Sequence, residues 1–299
     1  MKINDHVDEH LLVDVRGAQY PVTVAGKGIP CLTIGIGTLM QRTLSANFMN
    51  HCKVYSSDLY WDQKNSLGKN SSLTLGHMIE DIAELAQNLR IQNYIIIAHS
   101  AFGIIAAEFA KKYPGYASGL IMVGTPVNSN SEVAEHNNHI FQHYADERRK
   151  SIDLKRRETA AKADLSSLNM NEKFLYEYIY RDAPRYWYDP EFDCTDLWKG
   201  IMLDGVISQL FSEILPSIDV RENLETIEEP IFLAAGLSDY DCCPVQLWSA
   251  LPNRPKNMTL SIFEKSGHYP HYEEQELFDE RVIKWANQWK LIDRAESPH

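Results

Sequence analysis

Two kinds of apolar pattern alternate along the chain. Short runs that are continuously apolar or alternate with polar residues predict strands over 11–15, 20–25, 31–34, 52–57, 94–98, 120–123, 231–235 and 260–263. Gly17 is placed to turn the first two into a hairpin. Between later strands the period changes to 3.6. From Thr74 onward, Leu75, Met78, Ile79, Ile82, Leu85, Ala86 and Leu89 fall on one helical face. A second helix is predicted over 101–112, stopping before Pro114, and a last one carries Phe278, Val282, Trp285 and Trp289 on one side. The run 94–98 is apolar throughout, as a strand covered on both faces must be. Strand–helix alternation of this kind predicts an α/β fold with a mostly parallel central sheet covered by helices.

The alternation breaks over residues 126–229, which carry helical patterning and no convincing strand. The first half is charged, and its basic stretch 148–157 is interleaved with Glu147, Asp153 and Glu158, which predicts a solvated helix face. The second half is aromatic, with Phe174, Tyr176, Tyr178, Tyr180, Tyr186, Trp187, Tyr188, Phe192 and Trp198 close together. The expected division is a core of 1–125 and 230–299 with a helical insertion over 126–229.

Composition narrows the class of partner. A chain of 299 residues with 44% apolar and 23% charged residues is an ordinary globular sequence, long enough to bury a core without staples. The 41 acidic against 29 basic residues give a formal charge of −12, which repels phosphate backbones and argues against nucleic acid. No apolar run approaches the roughly 18 residues of a membrane span. The first residues lead into acidic ones rather than an apolar leader, and five cysteines without zinc spacing read as reduced thiols, so a cytoplasmic location is expected.

The sharpest chemical signal is Ala98-His99-Ser100-Ala101-Phe102-Gly103, where the apolar strand turns directly into a helix. A serine there either caps the helix or presents its hydroxyl on a tight turn, with helix N–H groups behind it for a developing oxyanion. Asp239 follows the predicted strand 231–235 and His268 follows 260–263, placing both at the sheet edge where ligand sites of open α/β sheets gather. Activation of a serine requires a base for its proton and an acid to orient the base. The chain order Ser100, Asp239, His268 is that of one fold in particular.

With its elbow at Ser100, a Gly-x-x-Asp run ending at Asp239 and a Gly-His-x-Pro run around His268, the chain resembles the α/β-hydrolases. Residues 263–274 are similar to the corresponding stretch of proline-iminopeptidase-like and related cap-bearing members, and the resemblance covers about 11–125 and 229–292. It implies a helical cap after the sixth strand and a catalytic triad of Ser100, Asp239 and His268. The implied oxyanion hole is the backbone amides of Ile36 and Ala101, with Gly37 the alternative to Ile36. It further implies a small-molecule substrate, with no cofactor and no metal. Two positions depart from the family. Phe102 stands where the elbow has a glycine, with Gly103 one later, and 34–38 replace the usual His-Gly of the oxyanion loop. The Phe102 ring is expected to be buried against small neighbours such as Ala106 and to widen the strand–helix crossing.

Other residues receive plainer readings. Asp241 is the alternative acid, His99 is structural, and His271 is a rim or solvent-exposed residue. Cys242 and Cys243 are small, partly buried residues before Pro244. His136, His139 and His143 share one helical face at a spacing able to hold zinc, but no further ligand joins them and a polar face is expected. Tyr180, Trp187 and Trp198 are expected to line the substrate pocket. The expected function is a cofactor-independent serine hydrolase acting on a small, largely apolar ester or amide. One alternative is an aminopeptidase binding a free amine through Glu172, Glu177, Asp182, Asp189, Glu191, Asp193 or Asp196. Another is a ligand-binding protein on the same scaffold.

Overall fold

A computed structural model describes residues 3–58, 73–202 and 209–292. All eight predicted strands are present and join in one sheet, in the order β1-β2-β4-β3-β5-β6-β7-β8. β1 (Glu9–Val15) and β2 (Ala18–Ala25) form the expected hairpin. Its two turn residues, Arg16 and Gly17, both have left-handed backbones, with φ of 52° and 80°, the geometry that matches the twist of paired strands. β2 runs antiparallel to β4 (Cys52–Ser57). β3 (Ile29–Ile34), β4, β5 (Ile95–His99), β6 (Gly119–Val123), β7 (Ile231–Gly236) and β8 (Met258–Phe263) are mutually parallel.

Helices cover both faces of the sheet. α1 (Gly37–Thr43) and α2 (Ala46–Met49) join β3 to β4. α3 (Leu75–Asn88) begins at Thr74, whose hydroxyl accepts the His77 N–H, and α4 (Phe102–Lys112) follows β5. The apolar face predicted from 3.6-residue spacing is the one α3 buries, through Met78, Ile79, Ile82 and Leu85. β5 is buried along its whole length because its side chains feed both cores. Ile96 and Ala98 pack with α3 and α4, while Ile95 and Ile97 pack with the helix Gln275–Gln288 through Phe278, Val282 and Trp285.

Between β6 and β7 the described residues form helices and turns and no strand. α5 (Ser131–Tyr144) and α6 (Glu147–Lys162) come first, then α7 (Met170–Leu175), which continues into a π-helical turn over Tyr176–Arg181. α8 (Ala183–Tyr186) and α9 (Thr195–Trp198) follow, and a π-helical turn over Leu210–Ile214 with short 3-10 turns over Leu215–Ser217 and Leu224–Thr226 precedes β7. The basic stretch on α6 is not a solvated face throughout. Arg149 and Asp153 are buried, with 3% and 4% of their surface exposed. The Arg149 guanidinium donates to the carbonyls of Pro184 and Trp187 at 2.6 Å and of Tyr188 at 2.5 Å. Asp153 receives Arg185 through two hydrogen bonds and Arg157 through a third. Charge alternation along a helix cannot reveal that a neighbouring loop needs its carbonyl groups capped.

Arg149→Met is therefore expected to strand three acceptors. A stability loss of about 3 kcal/mol is expected, read as a lower urea midpoint with an unchanged slope. An unchanged midpoint would show that those carbonyls are satisfied without the guanidinium.

Candidate active site

β5 ends at His99 and α4 starts at Phe102, so Ser100 and Ala101 carry the whole reversal. Ser100 has φ of 60°, a left-handed conformation that an L-residue adopts only when its surroundings impose it. Its N–H donates to the Val123 carbonyl at 2.7 Å and its carbonyl accepts the Gly103 N–H at 3.0 Å. The hydroxyl-bearing side chain is thereby turned out of the sheet edge into a cavity of about 320 Å³, also lined by Ile36 and Ala101.

The elbow departure at Phe102 and the changed loop at 34–38 meet in one contact. A Cβ at Gly103 would overlap the Thr125 side chain, so Gly103 serves the close approach between helix and sheet edge. Phe102 is buried, as expected, and its ring rests on Gly35 of the β3–α1 loop. Gly35 has φ of 99°, and a Cβ there would overlap the Phe102 ring.

Asp239, after β7, and His268, after β8, meet at the sheet edge. Both are 1% exposed, and His268 Nδ1–H donates to Asp239 Oδ2 at 2.7 Å. The other oxygen of Asp239 accepts the N–H groups of Asp241 (3.3 Å) and Cys242 (2.9 Å). With Nδ1 carrying the proton, Nε2 of a neutral imidazole is left as the basic nitrogen. The main chain of His268 is clamped on both sides: its N–H donates to the Tyr186 carbonyl at 2.5 Å, and its carbonyl accepts His99 Nε2–H at 3.0 Å. Burial holds the His99 imidazole well below its usual range, so it stays neutral in this donor role. Cys242 lines the cavity and interacts with Ser100, linking the turn to the acid loop. Burial, with the neighbouring carboxylates, pushes the thiols of Cys242 and Cys243 well up, which suppresses thiolate chemistry at both.

Several expected residues are placed elsewhere. Trp198 lines the cavity, whereas Tyr180 and Trp187 do not. Tyr180 stacks on Tyr176 and lies under the Arg156 guanidinium. Trp187 is fully buried, with its ring stacked on Tyr269 at 4.2 Å and 4°. His271 is not at a rim. It is 1% exposed, bonded through Nε2 to the Thr43 hydroxyl, and held by burial at about 3.

His139 and His143 stack on one another at 3.9 Å, and among the described residues the one group able to offer three metal-ligating atoms is Asp239, Cys242 and His268. None of the acidic residues considered for amine binding lines the cavity. Glu172 caps α7, Glu177 and Asp182 pair with Arg181, Asp189 and Glu191 lie by Arg148, and Asp193 bonds Thr195. The cavity instead gathers Asn128, Asn137, Tyr178, Tyr186 and Tyr269, which no spacing along the chain connects. None of the five cysteines forms a disulfide, and among the described residues no helix is long and apolar enough to cross a membrane.

A mostly parallel sheet with a serine turn at positive φ and an Asp–His pair at its carboxyl edge is the arrangement that the resemblance to hydrolases implies. The family model of the alpha/beta hydrolase fold matches residues 37–275, and the chain belongs to that family. It is 26% identical over 274 residues to the AB hydrolase superfamily protein YclE of Bacillus subtilis (strain 168), covering 89% of this chain and 94% of that one. Its fold is similar to that of an alpha/beta fold family hydrolase from Bacillus anthracis str. Sterne. The TM-score there is 0.69 at 22% identity, over 94% of this chain and 100% of the other. A proline iminopeptidase from Mycobacterium smegmatis gives 0.68 at 15% identity, over 95% and 99%.

Two predictions follow from these contacts. Phe102→Ala removes a buried ring from above Gly35 and is expected to lower stability by about 3–5 kcal/mol. An unchanged thermal midpoint would mean that the ring adds nothing to the loop. The second concerns pH. Glu273 accepts the N–H groups of Gly267 and Tyr188, each at 2.7 Å, and burial pushes its carboxyl up to about 8. Below an ordinary imidazole value of 6.5 the unfolded chain protonates His99 and His271 while the folded chain does not. Between 4.5 and about 8 the folded chain instead holds a proton on Glu273 that the unfolded chain has shed.

Just below 6.5 the balance of His99 and His271 against Glu273 is two protons to one, so these three groups make stability rise with pH there. Above 6.5 only Glu273 remains and the sign reverses, giving a maximum near pH 6.5. Urea midpoints measured from pH 5 to 8 should trace this maximum. Glu273→Gln should flatten the descending side, and a descent of equal slope in that variant would contradict the assignment.

Proposed function

We propose that the protein is a serine hydrolase acting on a small, largely apolar ester or amide through Ser100, His268 and Asp239. The hydrogen bond between His268 Nδ1 and Asp239, together with a serine held at positive φ, is the observation that carries this reading. Ser100 Oγ attacks the carbonyl carbon as His268 Nε2 takes its proton, and Asp239 keeps the imidazole oriented and stabilises its charged form. The N–H groups of Ile36 and Ala101, both at the wall of the same cavity, receive the oxyanion. Each such donor is worth about 3 kcal/mol in the transition state. The imidazolium then protonates the leaving group, an acyl-enzyme remains on Ser100, and His268 activates the water that releases it.

The helices of 126–229 act in this reading as a cap. They close over the sheet edge through the Tyr186–His268 contact and contribute Trp198, Tyr178 and Asn137 to the cavity. An acid chain with five free thiols fits a cytoplasmic enzyme of this kind.

A fluorophosphonate probe is expected to label the wild-type protein at Ser100. Ser100→Ala is expected to stay folded, lose labelling and lose hydrolysis of short-chain esters by several orders of magnitude. More than about a tenth of the wild-type activity remaining in Ser100→Ala would place the nucleophile elsewhere.

A further inference from the structure

Cys242 stands beside the triad and has no part in the hydrolysis derived above. It is half-buried and lines the cavity, and its thiol interacts with the Ser100 hydroxyl. Its sulfur, a ring nitrogen of His268 and a carboxylate oxygen of Asp239 all lie within 4.8 Å of one another. Cys243 does not share this place. It is fully buried, lies off the cavity, and has the Trp248 side chain as its partner. One soft donor is thus set against two groups whose positions are already fixed.

A sulfur, an imidazole nitrogen and a carboxylate oxygen suit a borderline-soft ion such as Zn²⁺, and not Mg²⁺ or Ca²⁺, which require oxygen ligands. Zinc bonds of about 2.0–2.3 Å put tetrahedral donors about 3.5 Å apart. Donors within 4.8 Å reach that spacing by shifts of about 1 Å. The supports that orient such ligands are present. The other Asp239 oxygen accepts the Asp241 and Cys242 N–H groups at 3.3 and 2.9 Å, and Tyr186 and His99 hold the His268 peptide. A metal drives the proton off a coordinating thiol, so thiolate and carboxylate together cancel a divalent charge. Among the described residues the cavity lining has no Lys or Arg to oppose a cation.

We propose that Cys242, His268 and Asp239 form an inhibitory Zn²⁺ site through which the ion switches the hydrolase off. The inhibition rests on the serine-hydrolase reading, but the binding of the ion does not. An imidazole that gives its lone pair to zinc, or loses the Asp239 carboxylate to it, no longer takes the Ser100 proton in the right orientation. The metal is an antagonist here and not a cofactor, since no step of the hydrolysis passes through it. His268 and Asp239 alone offer two donors, and the Cys242 sulfur supplies the third. The fourth position is left to water or to the Ser100 hydroxyl against that sulfur. The acid loop thus has two duties three residues apart, with Asp239 orienting the base and Cys242 setting the sensitivity to metal.

The test titrates zinc chloride into the full-length protein at pH 7. Isothermal titration is expected to show an ion bound in the micromolar range, and Cd²⁺ in its place should give a thiolate-to-metal absorption band in the ultraviolet. Cys242→Ala should remove the band and weaken zinc by about tenfold or more, with circular dichroism reporting the fold. Zinc should block fluorophosphonate labelling of the wild-type protein, EDTA should restore it, and Mg²⁺ should have no effect. Labelling of Cys242→Ala, measured against its own zinc-free rate, should resist the same zinc concentration. No micromolar binding, no sulfur band, or an affinity unchanged in Cys242→Ala overturns the proposal. So does binding lost in His139→Ala instead, which would place the ion on α5, and so does labelling that bound zinc leaves undisturbed. A protein that labels but fails the zinc titration loses the metal site alone. A protein that never labels but gives the Cys242-dependent band retains the site and loses the hydrolase reading.

Discussion

The peptide of His268 is the constraint on which the rest of the site depends. A buried backbone N–H and C=O must both find partners, and here the partners come from opposite directions. Tyr186, from the helices between β6 and β7, supplies the carbonyl, and His99, from the end of β5, supplies the N–H. Glu273 holds the preceding amide, at Gly267. Two regions distant in sequence, with Glu273 close by, thereby fix one Cα, and with it the imidazole against Asp239. In the proposed mechanism, displacements of about 1 Å at such a group are enough to change rates by two orders of magnitude.

That constraint extends well beyond the sheet edge. The carbonyl of Tyr186 is presented by a short turn whose flanking carbonyls, at Pro184, Trp187 and Tyr188, are gathered by the one guanidinium of Arg149. The Tyr188 N–H goes to the same Glu273 that holds Gly267, and the Trp187 ring stacks on Tyr269 next to His268. A charged helix, an aromatic turn and the histidine loop therefore form one connected body, and the aromatic residues of the turn act as mortar in it more than as a surface for substrate.

What the amino-acid order reveals follows from the range of the forces involved. The strands of the parallel sheet and the faces of α3 and α4 were legible because burial on one or both sides imposes a period on neighbouring residues. Ser100, Asp239 and His268 were readable as candidates because each follows a strand that the apolar pattern marks. Tyr180 and Trp187 lie off the cavity and His271 is buried, because such placements depend on which side of an irregular segment faces inward. No period governs that side: Trp187 is turned onto Tyr269 and His271 onto Thr43 by contacts across the fold. Arg149 was hidden for the same reason, since its partners are backbone carbonyls, which every residue possesses. Asn137 and Asp241 meet across a separation of 104 positions, beyond any local rule.

The contact between Phe102 and Gly35 has a consequence for how this lineage can vary. The ring fills the space that a side chain on residue 35 would need, and the positive φ of Gly35 discourages one in any case. Neither position is free to drift alone: a larger residue at 35 is excluded while the phenyl is present, and a smaller one at 102 leaves the loop before Ile36 without its support. The pair is a two-locus lock, and a descendant returning to the elbow glycine at 102 has first to acquire some other prop for the loop that carries the Ile36 amide.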